Sequence, residues 1–156
     1  MRSAWLDHPG VTGMVWTDQD MAFDPVDIRA MRAAIASNPE AVHAAPYRIW
    51  NVDGTWQWCH RRWPDTSRLP VPGSLEDDRI ELWGFGLTYV PHQLMALAEV
   101  EDCWDYLVFP NADTHLATLA MGATPARSRA VPAYLVPEAR PVHVHWFGVD
   151  PIPAPR

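Results

Sequence analysis

Two histidines near the end of the chain have the spacing of metal ligands. In the run Pro141-Val142-His143-Val144-His145-Trp146, the imidazoles of His143 and His145 stand two residues apart. Side chains alternate along a strand, so both rings would leave the same face and could share a metal ion. Zinc, iron or copper held there would make a small metal-dependent enzyme. Such a site needs a third or fourth ligand, and no Glu follows His145 at the expected distance. His60, His115 and Asp150 are available donors, though no spacing recommends them. Two histidines on a solvent-facing strand are the competing reading.

The second candidate is aromatic. Trp50, Trp56, Trp58 and Trp63 fall within a short stretch, and Trp83 follows in the next apolar run. If residues 55–62 form a strand, Trp56, Trp58, His60 and Arg62 share one face, while Thr55, Gln57, Cys59 and Arg61 take the other. That face would be an aromatic wall for a planar ligand, with a polar end at the mouth of a pocket. Gly84 and Gly86 also fall on one face of an expected strand, leaving room for another backbone or a ligand. The candidate ligand-binding set is therefore Trp50, Trp56, Trp58, His60, Trp83, Gly84 and Gly86. Tryptophans also cluster because they bury much area, so a packed core or a dimer contact competes with the ligand reading.

Other chemistries find little support. The serines lack a Gly-x-Ser-x-Gly elbow, and Cys59 and His60 would point to opposite faces of a strand. Glu99, Glu101, Asp102 and Asp105 sit at an expected helix end, where a solvated charged edge is the ordinary arrangement. Phosphate-binding glycine loops are absent.

The elements that would position these residues are legible in part. Residues 11–16 suggest a short strand leading into a turn at 17–20. Asp24 suits an N-cap and Pro25 the first helical position, with Ile28, Met31 and Ile35 at helical spacing before Ser37-Asn38-Pro39. This helix would bury one stripe and leave Arg29 and Arg32 in water. The run from 47 to 62 reads as strand, turn and strand around Asp53-Gly54, a pair that readily takes positive φ. A third strand is expected over 79–90 and a helix over 92–101, where Leu94, Leu97 and Ala98 recur. Beyond these, strands are expected over 104–109, 133–136 and 142–147, and a short helix over 113–121.

Composition restricts the partners. The chain has 156 residues and a formal net charge of −7, and all 12 basic residues are Arg, as in a GC-rich bacterial genome. That charge disfavours a general nucleic-acid binder and an anionic membrane surface. Neither a signal-peptide core nor a run of the roughly 20 apolar residues that spans a bilayer is visible. The only cysteines, Cys59 and Cys103, do not make a disulfide framework, so a reducing cytoplasm is expected. Of sixteen prolines, ten crowd into 64–72, 125–141 and 151–155, which should be loops or strand edges.

The segment 47–58, reading Tyr-Arg-Ile, then Asp-Gly, then Trp-Gln-Trp, resembles a hairpin of PAS domains of the bacterial sensor type. Phe23-Asp24-Pro25-Val26-Asp27 stands where such domains often begin a helix with His-Pro-Asp-Asp, here without the histidine. The resemblance covers roughly residues 20–95. The Asp-Ile-Thr that usually follows the glycine strand is missing, since Gly86 is followed by Leu87-Thr88-Tyr89-Val90-Pro91. The resemblance implies a sensory module that binds a small molecule or a protein partner, with haem, flavin or another organic molecule as possible cofactor and none specified. The expected architecture is α+β, an antiparallel sheet with short helices on one face. It has a PAS-like core at about 11–100, a strand–helix–strand C-terminal extension at about 101–150 and a proline-rich tail at 151–156. A non-catalytic regulatory module, able to pair as a homodimer, is the expected function, and the metal-dependent enzyme is its alternative.

Overall fold

The computed structural model describes residues 8–50, 54–61, 79–80, 82–100, 116–117, 120, 131–145 and 148–149. The strand expected over 104–109 lies outside them, as do Trp63, Cys103, His115 and Asp150.

The helix expected after Asp24 forms as α1, Pro25–Ser37. Asp24 accepts from the backbone N–H of Val26 (2.6 Å) and Asp27 (3.2 Å), while the Asp27 carboxylate accepts from the Asp24 N–H at 2.8 Å. This reciprocal capping box satisfies donors that the first turn would otherwise leave open. Asp27 is buried and does more than cap: its other oxygen accepts from the Arg140 backbone N–H at 2.6 Å. The start of α1 is thereby tied to the turn that follows a distant strand. Met31 is buried, and Arg29 and Arg32 are exposed as the periodicity requires.

The central sheet has five strands. In chain order, β1 is Gly13–Trp16, β2 Met21–Ala22, β3 Val42–Ala44, β4 Arg48–Trp50, β5 Trp56–Trp58, β6 His60–Arg61, β7 Arg79–Ile80 and β8 Leu82–Trp83. They are followed by β9 Thr88–Pro91, helix α2 His92–Val100, β10 Ala133–Leu135, β11 Val142–His145 and β12 Gly148–Val149. The large sheet runs β1-β9-β3-β10-β7; β12-β11-β2 form a second sheet, and β4-β5 and β6-β8 are two-stranded ribbons.

The expected architecture is corrected in two respects. The sheet is mixed rather than antiparallel, because β3 and β10 run parallel, with Val42 opposite Ala133 and Ala44 opposite Leu135. A parallel neighbour needs a long crossover, and the chain between Ala44 and Ala133 provides one. The helices also do not share a face. On one side Leu94, Met95 and Ala98 of α2 join Val42, Ala44, Val90, Ala133 and Leu135 in a core cluster. On the other, Met31, Ile28, Ala34 and Ile35 of α1 pack with Ala45, Leu87, Tyr89, Val136 and Ala139. Strand alternation separates 42 and 44 from 43 and 45, so the two clusters lie on opposite faces of the sheet.

Two further features depart from the local reading. The run 79–90 is not one strand: β7 pairs with β10, β8 with β6, and β9 begins after a bend at Phe85–Leu87. Ala133–Leu135, from the expected C-terminal extension, occupies an interior position between β3 and β7. Leu116, Ala117 and Ala120, in the segment expected as a short helix, are helical and buried in the α2-side cluster.

One row of residues crosses all five strands. Val15 faces Tyr89, Tyr89 faces His43, His43 faces Tyr134, and Tyr134 faces Arg79. The Tyr89 hydroxyl lies 2.8 Å from the Thr12 carbonyl and 3.0 Å from that of Pro39, donating its single proton between them. A Cβ on Gly13 would come within 2.5 Å of the Tyr89 ring, so this glycine lets β1 cross the tyrosine closely.

Candidate functional site

The hairpin forms where expected. Arg48 pairs with Trp58, Ile49 with Gln57 and Trp50 with Trp56, and Gly54 takes φ of 81°, which a non-glycine residue rarely adopts. Trp50 and Trp56 are thus directly opposed in register; their side chains lie outside the described residues. The Arg48 guanidinium carbon sits 5.5 Å from the Trp58 ring centre, within cation–π range.

The strand does not continue unbroken through His60. At Cys59 the chain changes partner: its N–H donates to the Tyr47 carbonyl at 3.0 Å, and β6 then pairs with β8, placing His60 opposite Trp83. Trp58 and His60 nevertheless stay in contact, their ring centres 5.6 Å apart. Trp58 is half-buried, whereas His60 is 2% and Trp83 4% exposed. Arg48, Trp58, His60 and Trp83 therefore make a row that starts at half-buried residues and ends in the α2-side core. At its inner end the Trp83 indole Nε1 is buried and, among the described residues, has no hydrogen-bond partner.

Gly84 and Gly86 serve a different neighbour from the one their spacing suggests. Both lie against the ring of Tyr47, which is itself buried. A Cβ on Gly86 would stand 2.6 Å from Tyr47 Cδ1, and one on Gly84 would meet the Tyr47 hydroxyl and approach Cys59 Sγ to 2.6 Å. The room these glycines leave is filled by a side chain of the same protein. The bend between them is pinned from two sides. Thr88 Oγ1 donates to the Gly84 carbonyl at 2.7 Å, Thr17 Oγ1 donates to that of Gly86 at 2.9 Å, and the Asp18 N–H donates to that of Phe85 at 3.1 Å.

His143 lies on β11 against this same region. Its ring meets that of Tyr47 edge-on at 6.1 Å, and its Nε2 is 2.9 Å from Asp20 Oδ2. The Asp20 carbonyl in turn accepts from the Val144 N–H at 2.7 Å. The turn expected at 17–20 therefore holds both the glycine bend and His143. The His145 side chain lies outside the described residues, and among the described residues no three His, Cys, Asp or Glu side chains are grouped to hold a metal. No helix of the described residues is long and apolar enough to cross a membrane.

His43 and Tyr89 escaped the sequence reading. His43 Nε2 lies 2.8 Å from the Asn38 carbonyl at the end of α1, and its ring is 6.1 Å from that of Tyr89 and 6.3 Å from that of Tyr134. Burial holds its pKa below the ordinary 6.5, against the opposing effect of the Asn38 hydrogen bond. A neutral ring donating from Nε2 fits both facts. Burial raises the Tyr89 pKa above 10.0; the Thr12 hydrogen bond counters it and the nearby Glu40 charge adds to it. Periodicity could mark 43 and 89 as inward-facing, but nothing in the sequence pairs them.

No protein-family model, curated protein or solved structure matches this chain.

Proposed function

We propose that this chain is a non-catalytic regulatory module that binds a small, flat, largely apolar molecule along the row Trp58, His60 and Trp83. The observation that carries the reading is the contact between half-buried Trp58 and buried His60 at 5.6 Å, with Trp83 opposite His60 in the adjoining ribbon. Aromatic rings stepping from a half-buried position to the interior offer large apolar area at little side-chain entropy, and one polar ring among them gives orientation. The sensory part of the proposal rests on the PAS resemblance of residues 20–95, with α1, the hairpin and the glycine bend in the same order along the chain. His143 enters as a framework residue, since its Nε2 engages Asp20 and its ring rests on Tyr47.

Native mass spectrometry and an absorption spectrum of the full chain, purified without added ligand, test this directly. The expected result is a co-purifying small molecule, or an aromatic compound from a screening panel that quenches tryptophan fluorescence in the native chain and not in Trp58→Ala. A bare mass together with no quenching across the panel would sink the proposal.

A further inference from the structure

From the inner end of that row, and resting on the ligand reading above, we infer that Trp83 Nε1–H is a ligand-binding donor. The ligand it selects is a neutral planar molecule bearing a carbonyl oxygen or a pyridine-type nitrogen. Trp83 is 4% exposed, and its Nε1 is a buried donor with no hydrogen-bond partner among the described residues. Buried N–H groups are almost always satisfied, because an unmade hydrogen bond forfeits the hydration that the unfolded chain enjoys. An indole N–H donates only, so the group that would satisfy it must be an acceptor.

The surroundings restrict that acceptor further. His60 stands opposite Trp83 in register, and Trp83 belongs to a cluster of Val42, Ile80, Val90, Leu94 and other apolar side chains. These apolar neighbours favour an apolar partner group over a charged one. A single neutral donor among them does not offset the dehydration of an anion. Arg48 lies at the other end of the row, over Trp58, and the chain's formal charge of −7 further repels anions. A neutral acceptor requires the least compensation and gains the Trp83 hydrogen bond.

Three probes of nearly one shape isolate the hydrogen bond: acetophenone, α-methylstyrene, in which CH2 replaces the carbonyl oxygen, and benzoate. The full chain, labelled with nitrogen-15 and with its indole resonances assigned by triple-resonance methods, is titrated with each. Acetophenone should move the Trp83 indole proton downfield and bind about tenfold more tightly than α-methylstyrene, the difference one hydrogen bond makes. Benzoate should leave that proton in place. In Trp83→Phe, which keeps an aromatic ring and loses the donor, the preference for acetophenone should fall to about onefold. This ratio is insensitive to a general loosening of the core, and the wild-type titration decides the question even if the variant folds poorly. If acetophenone shifts the Trp58 indole signal and leaves Trp83 unmoved, the inference fails and the ligand reading stands. If neither tryptophan responds to any probe, both fail.

Discussion

The ring of Tyr47 fills the space beside Gly86, so that a Cβ at Gly86 would stand 2.6 Å from Tyr47 Cδ1 and 2.8 Å from Cζ. Tyr47 opens the hairpin and Gly86 lies in the bend before β9, so this contact locks two separate strand systems together. Gly86→Ala should destabilise the protein by about 1–3 kcal/mol through overpacking. Tyr47→Leu should lose packing of its own but take up the added methyl, so the double variant should be more stable than the two single losses predict. Urea unfolding of the four proteins gives the coupling, and strict additivity would show that the two residues do not touch.

Asp27 is the polar fastening of α1. Asp27→Ala removes the acceptor for both the Asp24 and Arg140 N–H groups and should cost about 1–3 kcal/mol. Asp27→Asn keeps one acceptor oxygen and should lose less. Thermal unfolding ranks the three proteins, and an alanine variant as stable as wild type would contradict this role.

The two-faced sheet predicts where truncation matters. Leu94 is fully buried in the α2-side cluster, so Leu94→Ala should cost about 2–5 kcal/mol. Arg32→Ala, on the exposed side of α1, should change stability by less than about 0.5 kcal/mol. Chemical denaturation of both variants checks the contrast.

His43 makes stability depend on pH in a defined direction. Its folded pKa is below 6.5, so in mildly acidic solution the unfolded chain binds more protons than the folded one. Its contribution is complete above 6.5 and is lost as the pH falls from there through the lowered folded value. Urea midpoints should drop on acidification in wild type, and less steeply in His43→Gln, which keeps a donor for the Asn38 carbonyl. Equal slopes in the two proteins would remove His43 as the cause.

Local chemistry was readable wherever a short segment fixes its own geometry. Asp24 and Pro25 mark the start of α1, Gly54 with positive φ marks the hairpin turn, and Leu94 and Ala98 mark the buried stripe of α2. The candidate site was legible in its residues and not in its connections. Trp58, His60 and Trp83 were expected to share a site, and Trp58 and His60 do touch. The change of strand partner at Cys59 was hidden, because it depends on β8 arriving from another part of the chain. The glycines pointed to open space that Tyr47 fills, and no spacing relates residue 47 to residues 84 and 86.

The sequence by itself determined the capped helix α1, the existence of the hairpin around Gly54, the periodicity of α2 and the strands near 133 and 142. Each follows from backbone preference and side-chain period over a few residues. Tertiary structure alone decided that β10 inserts parallel beside β3, that the helices cover opposite faces, and that Asp20 reaches His143 across 123 positions. It also decided that the Trp83 donor is buried without an acceptor among the described residues. These outcomes depend on which distant surfaces bury one another, and the hydrophobic effect that drives that burial has no direction along the chain.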